Sequence, residues 1–195
     1  MFTVIDFETT GLDYKENQVI EVGAVKLDKY MNVVDELDYF VSLEEGMVLS
    51  DFIKDLTGIT EHDLKLHGKL TEEEGLEKLA EFIGDDIVVA QNAPFDLSYL
   101  SKVMKPKQFY CTRAMSLILD PAERANLDAM AKRYQIDFNH HRAIDDARAT
   151  AIIFGILLAR MGVEQIDSRN VIIETPDRPF LFMPDNAIVQ IKGGK

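Results

Sequence analysis

Asp6-Phe7-Glu8 is the first place where residue types and spacing could do chemistry. Residues two apart in a strand share a face, so both carboxylates point one way while Ile5 and Phe7 point the other. Like charges held that close repel, and each carboxyl pKa rises unless a cation neutralises the pair. A further acid, Asp96, closes the turn Asn92-Ala93-Pro94-Phe95-Asp96 and falls in the first turn of the helix this turn opens. The third group is His141-Arg142-Ala143-Ile144-Asp145-Asp146, with His141 on a loop and Asp146 in the first turn of a long helix. Singly, each has a plainer explanation: a strand that has run into solvent, an acid favoured by a helix dipole, a surface histidine. The weight lies in the set, which occurs in this order along one chain.

The elements that must position these groups are legible from pattern. Thr3 to Phe7, Val19 to Leu27 and Val33 to Val41 read as three strands with short links, which predicts an antiparallel meander. Helices are predicted from Ser50 to about Thr57, after the capping-box form Thr60-Glu61-His62-Asp63, and after the stronger box Thr71-Glu72-Glu73-Glu74. The continuous apolar run Asp86 to Ala90 has the character of a strand buried on both faces. It feeds the Asn92 turn and a helix from about Pro94. A short strand at Phe109-Tyr110 and helices at 112–119, 126–135 and about 144–161 complete this part, the last with Ala147, Ala151, Phe154 and Leu158 on one face. Strands followed by a strand among helices indicate an α/β domain with a mixed central sheet. Residues 163–195 differ: Val171-Ile172-Ile173, Phe180-Leu181-Phe182 and Ile188-Val189-Gln190-Ile191 are three β-like runs, separated by turns at Asp177-Arg178-Pro179 and Pro184-Asp185-Asn186. They predict a small β appendage, and so a division into 1–162 and 163–195.

Composition narrows the class. Apolar residues make up 47% of the 195 and charged residues 28%, as in a globular domain with a sizeable core, which excludes disorder and coiled coil. The longest apolar stretch, Ala149 to Leu158, is bounded by Arg148 and Arg160 and is too short to span a bilayer. Acids within the first ten residues argue against a secretory signal, and the single cysteine, Cys111, excludes an internal disulfide framework. The expectation is a cytoplasmic protein with no membrane partner. The formal net charge of −13 argues against a protein that coats nucleic acid. It is unevenly spread: residues 1–100 carry 23 acids and 7 bases, whereas 101–195 carry 11 acids and 14 bases. The bases Lys102, Lys105, Lys107, Arg113, Arg124, Lys132, Arg133, Arg142 and Arg148 share the half that holds His141 and Asp146, so a positive rim around an acidic cleft is expected.

With these pieces assembled, the chain resembles the DnaQ-like 3′–5′ exonucleases, the DEDDh branch of the ribonuclease H-like superfold, a family that includes the proofreading epsilon subunit and exonuclease domain of DNA polymerase III. The matching segments are Asp6-Phe7-Glu8-Thr9-Thr10-Gly11-Leu12, Asn92-Ala93-Pro94-Phe95-Asp96 and His141 to Asp146. Lesser echoes are Ile20-Glu21-Val22-Gly23-Ala24-Val25, Leu56-Thr57-Gly58-Ile59-Thr60 and Asn126-Leu127-Asp128-Ala129. The tyrosine branch would place Tyr four residues before the last Asp, where this chain has Arg142, so the histidine branch is the match. The resemblance implies that Asp6, Glu8, Asp96 and Asp146 hold two divalent cations, with His141 as general base. Hard carboxylate oxygens suit Mg²⁺ or Mn²⁺, and two such ions can stabilise both the attacking and leaving oxygens of an in-line displacement. Imidazole is the side chain whose ordinary titration range spans neutral pH. The resemblance further implies that Thr9 and Thr10 approach the terminal nucleotide through their backbone, and that Asn92, Phe95 and the Leu56 to Ile59 loop surround it.

The implied activity is release of nucleoside 5′-monophosphates from single-stranded or frayed DNA 3′ ends. RNA trimming, a non-catalytic module that binds a nucleic-acid end or a polymerase, and a small-molecule phosphodiesterase are the competing readings. A DNA polymerase partner and a homodimer are open expectations. Two departures stand out. Gln91 occupies a position where many members of the family have His, and residues 163–195 find no match in the minimal domain.

Overall fold

Three strands, β1 (Phe2–Thr9), β2 (Val19–Leu27) and β3 (Val33–Phe40), form the antiparallel meander expected from their short links. The computed structural model describes residues 1–176 and 179–192. After β3 the chain makes three helices, α1 (Asp51–Thr57), α2 (Glu61–His67) and α3 (Glu72–Ile83). Both capping boxes form: Thr60 with Asp63, and Thr71 with Glu74, each hydroxyl accepting from the third-position N–H while that residue's carboxylate accepts from the cap's own N–H. This long crossover lets β4 (Ile87–Ala90) return parallel to β1, as a parallel pair requires. Helix α4 (Ala93–Leu100) leads to β5 (Phe109–Cys111), then α5 (Thr112–Leu119), α6 (Leu127–Tyr134) and the long α7 (Ala143–Glu164). The sheet order is β3-β2-β1-β4-β5, a ribonuclease H-like α/β arrangement.

Strand alternation sorts the core onto two faces. Val4, Val25, Val89 and Tyr110 pack with Ile144, Ala147, Ala151 and Phe154 of α7. On the opposite face, Ile5, Phe7, Ala24, Val88 and Ala90 pack with Leu76, Leu79 and Ile83 of α3 and Ala93 and Leu97 of α4. Because Asp6 and Glu8 share the parity of Val4, the same alternation aims them at the N-terminal end of α7.

The appendage is a two-stranded sheet, β6 (Val171–Glu174) and β7 (Ile188–Ile191), paired in parallel. It is joined to the main sheet where Phe109 N–H donates to the Asn170 side chain and Asn170 N–H donates to Phe109 C=O, each at 2.8 Å. The expected third strand, Phe180–Phe182, does not form. A parallel β6–β7 pair needs a crossover between its strands, and residues 179–182 belong to that crossover. Phe180 and Phe182 pack on the main core instead, with Phe182 edge-on to Tyr14 at a centroid distance of 5.5 Å. Of the turn assigned to Asp177-Arg178-Pro179, the first two residues lie outside the described ones. Among the described residues, no helix is long and apolar enough to cross a membrane.

Candidate active site

The site begins with a glycine. Gly23 lies opposite Asp6 in the β1–β2 register, and an added Cβ there would meet the Ala143 carbonyl carbon at 2.1 Å and the Ile144 nitrogen at 2.3 Å. Only the missing side chain lets the first turn of α7 lie directly against the sheet. Two residues along, Glu21 is paired with Glu8 and completely buried. One of its oxygens accepts from Arg142 Nε at 2.8 Å and lies 2.7 Å from Arg142 Nη2; the other accepts from Ala143 N–H at 3.1 Å. Glu21 therefore caps α7 from the neighbouring strand, a contact the helix lacks from its own Arg142 cap position. Sequence reasoning noted the Ile20 to Val25 segment without giving Glu21 this role. The available signal was an acid flanked on both sides by apolar residues in a strand.

With α7 seated, Asp146 in its first turn and His141 just before it reach Glu8. A carboxylate oxygen of Glu8, one of Asp146 and a ring nitrogen of His141 all lie within 4.8 Å of one another. His141 has φ of 62°, in the left-handed region that non-glycine residues seldom occupy. His140 anchors the preceding residue, with Nδ1 2.8 Å from Asp128 and its ring against Phe138. Asp96, in the first turn of α4, is buried, and its charge bears on both Asp6 and Glu8.

Electrostatics gather these acids into one cluster. Burial, then the charges of Asp96, Asp146, Glu8 and Glu21, push Asp6 well above the ordinary carboxylate range. Burial pushes Glu8 up to about 8, assisted by Asp146, Glu21 and Asp96 and opposed by Arg142. Asp96 rises to about 8 through burial. Asp146 rises to about 7, again through burial first, with the His141 backbone N–H pulling the other way. One oxygen of Asp146, Oδ1, is buried with no hydrogen-bond partner among the described residues. Buried carboxylate oxygens are seldom left so, and Glu8, Asp146 and His141, gathered within 4.8 Å, could share a cation. The donor set fits a hard divalent ion: carboxylate oxygens and one imidazole, with the only cysteine, Cys111, buried elsewhere in the core.

The remaining expected site residues fall into two groups. Thr9 and Thr10 shape the turn after the acids: Thr9 Oγ1 donates to Gly11 C=O at 2.6 Å, and Thr10 N–H donates to Gln18 C=O at 2.9 Å. Asn92 and Phe95 line one pocket beside this turn, together with Leu12. Leu56 lies in α1 and Ile59 just after it. Ile59 is buried with Ile20, Leu49, Ile53 and Leu64, whereas Leu56 is over a third exposed. Gln91 donates its amide N–H to Ala125 C=O at 2.8 Å and so ties the end of β4 to the segment before α6.

Four of the basic residues are engaged in ion pairs with acids of the first half. Lys102 pairs with Glu72, Lys107 with Asp85, Arg142 with Glu21 and Arg148 with Glu36. Each of these joins a base of the second half to an acid of the first.

Residues 3–154 match the RNase T family of exonucleases. That match, over more than half of the chain, decides the assignment. The chain belongs to the DnaQ-like DEDDh exonucleases. As a DEDDh 3′–5′ exonuclease it is a phosphodiester hydrolase. Its relatives include the PolC-type DNA polymerase III of Thermotoga maritima, 34% identical over 92% of this chain, and that of Bacillus subtilis, 32% identical over 87%. The chain spans only 14% and 12% of those polymerases. Among solved structures, exonuclease X in complex with 5′ overhanging duplex DNA superposes with a TM-score of 0.69 at 22% identity, covering 86% of this chain and 95% of that one. The nuclease domain of 3′hExo, a DEDDh family member bound to rAMP, gives 0.67 at 21% identity, covering 82% and 92%. At that identity these likenesses speak for the fold.

Proposed function

We propose that this exonuclease removes nucleotides one at a time from single-stranded or frayed DNA 3′ ends, as a proofreading partner of a DNA polymerase. Asp6, Glu8, Asp96 and Asp146 would hold two divalent cations, Mg²⁺ or Mn²⁺. When bound, such ions supply charge stabilisation to the attacking and leaving oxygens of the displacement. The chain's own residues do the rest. His141, beside Glu8 and Asp146, accepts the proton of the attacking water, and Glu21 with Arg142 holds the helix turn that carries Asp146. Thr9, Thr10, Asn92 and Phe95 orient the terminal nucleotide, with Leu56 and Ile59 forming a more distant support. The observation that carries the reading is the convergence of Glu8, His141 and Asp146, with Asp146 Oδ1 buried and without a hydrogen-bond partner among the described residues.

Likeness to PolC-type polymerases favours DNA over RNA and a polymerase over other partners. Residues 1–162 form the exonuclease domain in this account and 163–195 an extension of it. The net charge of −13 and the internal pairing of the basic residues favour an enzyme that grips a few nucleotides, with little hold on long nucleic acid. End-labelled single- and double-stranded DNA and RNA, incubated with Mg²⁺, Mn²⁺ or EDTA, test it. Stepwise loss from the DNA 3′ end that EDTA stops is the expected result. Faster loss from RNA would move the substrate class, and inert oligonucleotides would sink the proposal.

A further inference from the structure

Residues 179–182, in the crossover between β6 and β7, pack against the first turns of α4 and the turn after β1. One pocket is lined by Leu12, Asn92 and Phe95 of the main domain and by Phe180, Leu181 and Phe182 of the extension. Its inner wall is continuous with the site: Asn92 and Phe95 lie on the turn that ends in Asp96, and Leu12 follows the Glu8-Thr9-Thr10-Gly11 turn. An edge-to-face chain of aromatic rings joins the two walls, running from Phe95 to Tyr99 at 5.4 Å, to Tyr14 at 6.5 Å and to Phe182 at 5.5 Å.

Three features point to a flat heterocyclic ligand. Leu12 and Leu181 are 69% and 66% exposed although both line the same pocket, so apolar surface is kept open at its mouth. Asn92 stands at the cap position of α4 yet its side chain makes no capping hydrogen bond, which leaves its amide to the pocket. The outer wall is also held in place before any ligand arrives. Phe180 N–H donates to Glu174 at 3.3 Å, Asp185 pairs with Lys105 at 2.8 Å, and Asn186 donates to Lys107 C=O at 2.7 Å. Aromatic and aliphatic walls with one free amide suit a nucleobase, whose faces stack and whose edge hydrogen-bonds.

We propose that the segment Pro179–Phe182 is the outer wall of a nucleobase pocket, through which the C-terminal extension holds the 3′-terminal base of the substrate strand. This rests on the exonuclease reading above and deepens it, because it gives the extension a part in substrate binding. Asn92 and Phe95 of its inner wall belong to the turn that carries Asp96, so the base it takes is assigned to the nucleotide being released.

The test compares wild type, Phe180→Ala and Leu181→Ala in the full chain. The substrates are short oligodeoxythymidylates ending in a normal or an abasic 3′ nucleotide. Leu181 is exposed, so its variant folds even if Phe180→Ala loosens the crossover. On the normal end kcat/KM should fall about tenfold for Phe180→Ala and about threefold for Leu181→Ala. On the abasic end wild type should itself be slower, and the variants should differ from it by less than about twofold. A loss of equal size on both ends would mean a purely structural role and overturn the proposal, as would no loss on either. Wild type inert on both ends would overturn the exonuclease reading itself, and this proposal with it.

Discussion

Gly23→Ala is the sharpest perturbation of the site that touches none of its acids. The new Cβ would stand 2.1 Å from the Ala143 carbonyl carbon and 2.3 Å from the Ala143 oxygen and Ile144 nitrogen. Ordinary contact begins near 3.4 Å, so strand and helix must part by about 1.3 Å. The opposing atoms are backbone, and no rotamer change relieves them. Because Asp146 lies one turn along α7 and His141 just before it, both move away from Glu8 with the helix. A misplacement of about 1 Å in a catalytic constellation costs on the order of a hundredfold in rate, and overpacking costs about 1–3 kcal/mol of stability. The assay is kcat/KM on single-stranded DNA with saturating Mg²⁺, paired with thermal unfolding. Gly155→Ala on the same helix is the control: its Cβ would meet the Met31 side chain at 3.6 Å, an ordinary contact, and should stabilise by about 0.5–1 kcal/mol without loss of rate. Wild-type rate and stability in Gly23→Ala would refute the argument that this close approach positions the site.

Two further outcomes follow from the same geometry. Arg142→Ala leaves Glu21 buried with only the Ala143 N–H as donor; unfolding in urea should show a loss of about 1–3 kcal/mol, less than for a fully buried pair because Arg142 is over a third exposed on its side chain. The raised carboxyls of Asp6, Glu8, Asp96 and Asp146 mean that the folded state binds protons more tightly than the unfolded one between about pH 4 and 8. Stability in EDTA should therefore be fully present below the unfolded carboxyl range and fall as pH rises through that window. Mg²⁺ should raise Tm more at about pH 8 than at about pH 5, and an equal rise at both would count against a shared metal site.

Much of this was legible in the sequence because local rules and tertiary structure agree. The boxes at Thr60 and Thr71 announce α2 and α3, and the period-two spacing of Asp6 and Glu8 survives because β1 buries both faces. Phe180–Phe182 was misread as a strand because aromatic runs favour strands and tertiary pockets alike, and only the parallel pairing of β6 with β7 decides between them. The ion pairs of Lys102, Lys107, Arg142 and Arg148 were not legible because their acids lie up to 121 residues away, as in the Arg142–Glu21 pair. Gly23 and Glu21 needed the fold: their roles depend on α7 crossing β2, which no local pattern encodes.

The central claim is that these carboxylates, gathered by β1, α4 and α7, make a metal-dependent 3′–5′ nuclease site. Its most direct test is the cleavage ladder of a 5′-labelled single-stranded oligonucleotide with Mg²⁺, for wild type, Asp6→Ala and Asp146→Ala, each shown to be folded by thermal unfolding. Wild type should shorten the strand one nucleotide at a time until EDTA stops it, and neither variant should give a ladder. A wild-type ladder from folded Asp146→Ala would contradict the claim.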